Sequence, residues 1–327
     1  DVKMKLFGRE FKLFNYSLDG KGVKKEPEGP KNLKNFFISY ARKFGQLVTV
    51  NIYYVFGNFP ILFAMLAISG NLNVKLSSPT SSLYSAIYGL MENGANTPLI
   101  AAMNGVHGVS GELSIPTVAT NVFWWLSLLV LVTFGLVNVG CTYILRNMVK
   151  GEPIFMWTDF WYAIKRNWRQ GIILGALDLV FTGVIAYDIL FFNFNTGNFM
   201  LAVFFWFSIA LAIIYFFMRF YMYIVMVTFD LSIFKILKNA LIFSLLGIKR
   251  NVMALLGIAL SLFITWYTLN LFVPLGIIIP FVALFGTCSF MGAYAAFPKI
   301  KQYMIDPYYV EEEDDGDYEE PIFKDRG

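Results

Sequence analysis

Three charged side chains sit where charge is costly. Asp178 and Asp188 fall in the apolar run 170–192, and Arg219 falls in the run 199–229. An ionisable group deep in a bilayer marks a solute path, a proton relay or a pair that registers two helices. Asp178 stands eight residues inside the start of its run and Arg219 ten residues before the end of the next. On adjacent antiparallel helices the two meet at similar depth and form an ion pair. Asp188 is ten residues beyond Asp178, about 15 Å along a helix. It therefore lies near the outer surface, either solvated or lining an outward cavity with Asn193 and Asn195. Tyr84 and Tyr88, in the polar stretch 70–120, are the side chains best placed to stack on a carbohydrate or contact another outer ligand.

Other chemistry is missing from the sequence. It has no GxxxxGK[ST] phosphate loop, no HExxH, no GxSxG and no Cys or His cluster. His107 is a lone histidine beside glycines. Cys141 and Cys288 lie in apolar runs without metal-ligand spacing and read as small buried apolar residues. No catalytic residue, metal or cofactor is expected, and the chain reads as non-enzymatic. Its net charge of +4 comes from basic residues scattered over loops, with no basic–aromatic module for nucleic acid.

The elements that must position these residues are membrane helices. The 327 residues are 57% hydrophobic, above the roughly 45–50% of soluble domains, and the excess forms long runs. The expected fold is all-α: a polytopic bundle of about six transmembrane helices in the plasma membrane. The spans are placed at 44–69, 121–145, 170–192, 199–229, 252–272 and 275–297, with a kink at Gly57, Asn58 and Pro60 in the first. Residues 1–43 form a basic cytoplasmic arm ending in an interfacial amphipathic helix, with Phe36, Phe37 and Tyr40 at the lipid boundary. The chain starts at Asp1 without a cleavable signal, so the first span is expected to be retained. Residues 70–120 form an outer loop with short helices at 83–91 and 98–106. Residues 298–327 form an acidic cytoplasmic tail. Of the 26 Lys and Arg, one (Lys75) falls in a segment placed outside, and the positive-inside rule puts both termini in the cytoplasm.

Two further helices, 152–168 and 230–247, are expected on the cytoplasmic face. They carry a partner-contacting surface of Glu152, Asp159, Lys165, Arg166, Asp230, Lys235 and Lys238. IKRN recurs at 164–167 and 248–251, each before a span, which suggests a duplicated hairpin unit. GIILG at 171–175 permits close helix approach, in internal packing or in a homo-oligomer.

The stretch NVGCTYILRNMVKGEPIFMWTDFWYAIKRNWRQG (138–171), with YDILFF (187–192) and VTFDLSIFKILKNALIF (227–243), resembles the YesL family of bacterial membrane proteins. The likeness extends over roughly 34–305 and rests on an R-x-x-x-x-G-E-P-x-F loop and an F-D-L-S…L-K-N-A helix. The outer loop and acidic tail are like those of gut Firmicutes. The resemblance implies an accessory or regulatory role beside a carbohydrate ABC importer, with permease, ATPase or solute-binding subunits as partners. It carries no catalytic residues. The alternatives are a small-solute transporter or channel on a path near Asp178, Asp188 and Arg219, and a membrane sensor or assembly factor using 70–120.

Overall fold

The computed structural model describes residues 3–6, 9–12, 29–79, 97–108, 110–195 and 197–308. Strands β1 (Lys3–Leu6) and β2 (Arg9–Lys12) pair antiparallel ahead of the membrane helices. The helical part opens with α1 (Leu33–Gly57) and α2 (Pro60–Ile68). Next come β3 (Val74–Pro79), α3 (Pro98–His107) and β4 (Ser110–Ile115). The chain continues through α4 (Val118–Ser127), α5 (Val130–Lys150), α6 (Met156–Phe194) and α7 (Phe199–Thr228). It ends in α8 (Ile233–Leu246), α9 (Ile248–Leu271), α10 (Val273–Ile279) and α11 (Phe285–Ile300). Among the described residues, five helical units are long and apolar enough to cross a membrane, or six if α1 and α2 count as one bent span.

Several boundaries differ from the sequence expectation. The interfacial helix at 33–43 is the first part of α1, because the apolar face of this segment continues in register into the span. Phe36 and Tyr40 turn inward: Phe36 stacks on Phe290 with ring centroids 5.7 Å apart, and Tyr40 bonds Thr287 at 3.0 Å. The helix expected at 152–168 begins at Met156 and joins span three in α6 across a kink at Asn167 (φ −118°, ψ 18°). The helix at 230–247 folds back along α7, with Phe243 stacked on Tyr221. The last span does not stop at 297; α11 continues to Ile300 and one further π turn reaches Ile305. The outer stretch contains a two-stranded ribbon that was not expected, β3 against β4 in antiparallel register Val74↔Ile115. Of the two short outer helices, 98–106 is α3; the stretch 83–91, Tyr84, Tyr88 and the acidic tail beyond 308 lie outside the described residues.

Three further breaks interrupt the helices. Between α1 and α2 the axis bends by 54°. Pro60 has no N–H to offer Phe56, whose carbonyl instead accepts from Phe59 N at 3.4 Å. Between α4 and α5 the ladder tightens to i→i+3 bonds, such as Leu128 N to Trp125 O at 3.2 Å. Between α10 and α11 a π turn spans Pro280–Leu284. α2 and α4 pack on one another, with Phe63 and Phe123 rings 5.6 Å apart. They form a two-helix unit capping the bundle at the β3–β4 end.

Close packing is concentrated at the opposite end, where the basic residues lie. Val139 to Val149 of α5, Tyr221 to Val227 of α7 and Phe290 to Phe297 of α11 supply most of the buried core. The α5–α6 contact is closest, because Gly135 faces Gly171 and Gly175 across it and a Cβ at any of these meets the other helix. GIILG thus serves internal packing. Four cations cap carbonyls at this basic end. Lys31 Nζ donates to Val149 O (2.6 Å) and Lys43 Nζ to Met148 O (2.8 Å), both at the end of α5. Arg146 Nη1 donates to Val227 O at 2.9 Å, at the end of α7. Arg250 donates to Tyr294 O (3.1 Å) and Ala295 O (3.2 Å) on α11. Helix C-termini concentrate unpaired carbonyls and partial negative charge, which cations satisfy.

Candidate intramembrane binding site

The site begins with a four-residue spacing on α7. Tyr215, Arg219 and Tyr223 fall on one face of the helix, because residues four apart lie one above another. That face meets Asp178 on α6, one turn from the Gly175 contact that sets α6 against α5. Arg219 Nε lies 3.0 Å from Asp178 Oδ1 and 3.1 Å from Oδ2. Tyr215 donates to Oδ1 at 2.8 Å and Tyr223 to Oδ2 at 3.0 Å. Thr182, one turn along α6, approaches Oδ1 at 3.5 Å. The Asp178 side chain is 0% exposed, and every donor it needs comes from the protein.

Arg219 is different. Its side chain is 32% exposed, and among the described residues no hydrogen-bond partner is found for its two terminal nitrogens. Arg219 lines a half-open cavity of about 560 Å³ between α1, α2, α5, α7, α9 and α11. That volume is typical of a small-molecule site. Arg219 lies eight residues above Val227, about 12 Å from the basic end of α7. The cavity starts where the close packing stops.

Polar groups cluster on the cavity wall near Arg219: Tyr54, Asn58, Asn138, Thr142 and Ser289. Tyr54 turns its hydroxyl toward Ser289 and Thr142. Asn58 is 9% exposed and spends its amide nitrogen on Tyr54 O (3.0 Å), which leaves Oδ1 buried without a donor. A buried acceptor without a partner is uncommon and calls for an explanation. The π turn at Pro280–Leu284 also borders the cavity. It is held by Asn51, whose Nδ2 donates to Pro280 O and Phe281 O (2.9 and 2.7 Å) while its Oδ1 accepts from Gly286 N at 3.0 Å. Helices broken next to a polar cavity are the usual frame of substrate sites in membrane transporters.

The other expected site residues lie apart from this cavity. Asp188 is half-buried, Asn193 and Asn195 are exposed, and none lines a cavity found among the described residues. Asn195 donates to Phe191 O at 2.7 Å. On the basic end, Glu152 pairs with Lys150 at 2.5 Å, and Asp159 accepts from Phe155 N at 2.9 Å, so both serve local structure. Lys165, Arg166, Asp230, Lys235 and Lys238 are exposed. Among the described residues no group of three or more His, Cys, Asp and Glu side chains could hold a metal. Cys141 is buried as expected, but Cys288 is half-buried and lines the cavity.

The loop after α5 explains the R-x-x-x-x-G-E motif. Gly151 takes φ 74°, and Glu152 N bonds Asn147 O at 3.1 Å while Gly151 N bonds Met148 O at 3.3 Å. This is a Schellman stop, for which a glycine in the left-handed region is best suited. Arg146 ties that stop to α7. Comparison with curated proteins and with solved structures found no match. Residues 117–189, from the start of α4 through Asp178 to nearly the end of α6, match the family described as protein of unknown function, DUF624.

Proposed function

We propose that the protein is a non-enzymatic, polytopic membrane protein that binds a small solute inside its helical bundle. The observation that carries this reading is Arg219, fixed through Nε by Asp178 while it lines a cavity of about 560 Å³. The alternative of a small-solute transporter or channel is thereby favoured over the accessory role. The α2–α4 unit, joined to the bundle at two breaks, is suited to open and close over the cavity. Six spans with α1–α2 counted as one, and the collection of basic residues at one end, support a plasma-membrane location with both termini cytoplasmic. Reconstitution tests the reading. Proteoliposomes holding only this protein should take up small solutes saturably, and Arg219→Lys, which keeps the charge and loses the planar fork, and Thr142→Val should reduce that uptake without loss of the folded protein. Liposomes that stay impermeable to sugars, organic acids and ions would overturn it as a transport function.

A second reading, assistance to a carbohydrate importer of the kind the YesL resemblance implies, has one supporting observation. Phe234 is 77% exposed at the start of α8, flanked by the exposed Asp230, Lys235 and Lys238. An exposed aromatic among charges is suited to a partner groove. Gentle solubilisation from the host should then recover importer subunits in fixed ratio, and Phe234→Ala should release them. Recovery of the protein alone would set this reading aside.

A further inference from the structure

We infer that the cavity takes a neutral, hydroxylated amphiphile of the glycosyl or glyceryl lipid type, admitted sideways from the bilayer. This rests on the cavity being a binding site. Three observations carry the choice of ligand.

The first is charge. Asp178 accepts from Arg219 and from two tyrosine hydroxyls, and is the counter-charge of that arginine. The pair is neutral as a unit. An added anion would stand uncompensated in a medium of low dielectric, where a lone charge is heavily penalised.

The second is hydrogen-bond polarity. The Arg219 terminal nitrogens seek acceptors, whereas Asn138 on the cavity wall spends its amide nitrogen on Phe134 O and keeps its Oδ1 for a donor. A hydroxyl group both donates and accepts, so a polyol head satisfies both. A carboxylate or phosphodiester satisfies only the arginine.

The third is where the cavity opens. Ile61, Leu62 and Met65 of α2 line the cavity and are also exposed on the outside of the bundle. Phe281 and Phe285, on the π turn and α11, do the same. Because α2 packs chiefly on α4, these two rims are left as an apolar gap. An apolar opening in the spanning region leads to acyl chains. The polar wall at Arg219 and the apolar rim then match the head and tail of one amphiphile.

Cys288 supplies the readout, since it lines the cavity while Cys141 is fully buried and serves as the internal control. The protein is extracted into bilayer discs by a styrene–maleic acid copolymer, without glycoside detergent. N-ethylmaleimide labelling of each cysteine is followed by peptide mass spectrometry. Octyl glucoside below its micelle concentration should slow Cys288 labelling several-fold, with Cys141 unlabelled throughout. Asn138→Leu, which removes that acceptor, should weaken that protection. Met65→Trp, which fills the rim and leaves the polar wall intact, should abolish it. Protection by decanoate in place of octyl glucoside would overturn the neutral head. Equal protection by free glucose would overturn the bilayer route while leaving the binding site standing. Protection by none of the three would overturn this inference together with the reading it rests on.

Discussion

Arg219 Nε lies almost equally far from both carboxylate oxygens of Asp178, 3.0 Å from Oδ1 and 3.1 Å from Oδ2. One nitrogen therefore serves the whole carboxylate; the guanidinium lies over the Phe134 ring, 5.8 Å from its centroid, and its two terminal nitrogens are left for other acceptors. A structural ion pair would ordinarily use the fork in a bidentate grip. The tyrosines at 215 and 223 make the economy workable, because they supply the remaining donors to Asp178.

The pair should show strong coupling. Arg219→Met alone leaves a fully buried carboxylate with only hydroxyl partners. Breaking a buried pair costs about 3–5 kcal/mol, and the partial exposure of Arg219 places this case near about 3. The double change Asp178→Asn with Arg219→Met removes both charges and keeps a partner for each tyrosine, the amide oxygen accepting from one hydroxyl and the amide nitrogen donating to the other, so it should recover most of that loss. Thermal midpoints in bilayer discs for the two singles and the double measure the coupling. Additive losses would show that the residues do not act as a pair.

Arg250 and Pro298 form a second coupled set. Pro298 lies inside α11 and has no N–H for the carbonyl four residues back, which belongs to Tyr294. Arg250 Nη2 supplies the missing donor at 3.1 Å. Arg250→Ala should therefore leave that carbonyl unpaired and cost about 1–3 kcal/mol. Pro298→Ala should restore a helical donor and soften the loss in the double variant. A double variant as unstable as Arg250→Ala alone would rule out this division of labour.

The glycines of the α5–α6 contact offer a contrast on a single helix. A Cβ at Gly175 runs into the backbone of Gly135, whereas one at Gly183 meets nothing within 4 Å. Gly175→Ala should lower yield and melting temperature sharply, since backbone cannot step aside. Gly183→Ala should be neutral or stabilising by up to about 1 kcal/mol, the helix penalty of glycine. Size-exclusion profiles and melting of the two variants compare them directly. Tolerance of alanine at 175 would mean that the helices lie further apart.

The helical bundle and its number of long apolar helices were legible in the sequence because long apolar runs leave little choice inside a bilayer, whereas several helix limits were not. The depth match of Asp178 and Arg219 followed from counting along two antiparallel runs. The four-residue spacing of Tyr215, Arg219 and Tyr223 was equally readable. Other features were not readable. Pro60 and Gly57 signalled the first break, yet no breaker marks Leu128 and Leu129. Asn58 and Asn138 become a polar wall only when α1 and α5 meet. The positive-inside pattern treats all Lys and Arg alike, although Lys43, Arg146 and Arg250 turn inward to cap helices, which depends on tertiary neighbours. The β3–β4 pairing escaped because its strands are 30 residues apart and only weakly alternating.

Asn51 ties the cavity to the π turn and yields the last prediction. Its side chain makes three bonds to the segment around Pro280–Gly286, and Gly286 in turn lets that segment approach Leu47 O closely. Interhelical hydrogen bonds in membranes average about 0.6 kcal/mol each, so Asn51→Leu should cost about 2 kcal/mol. The more telling effect is local. Without Asn51 the carbonyls of Pro280 and Phe281 lose their donors, and the turn should relax toward regular α-helix, drawing Phe281 and Phe285 away from the cavity rim. Cys288, three residues beyond Phe285, should then react faster with N-ethylmaleimide even though global stability falls only modestly. Asn51→Asp keeps the acceptor for Gly286 N but loses both donations, and should show the same rise in reactivity. Unchanged Cys288 labelling in both variants, with melting temperature lowered, would mean that Asn51 stabilises the bundle without shaping the cavity.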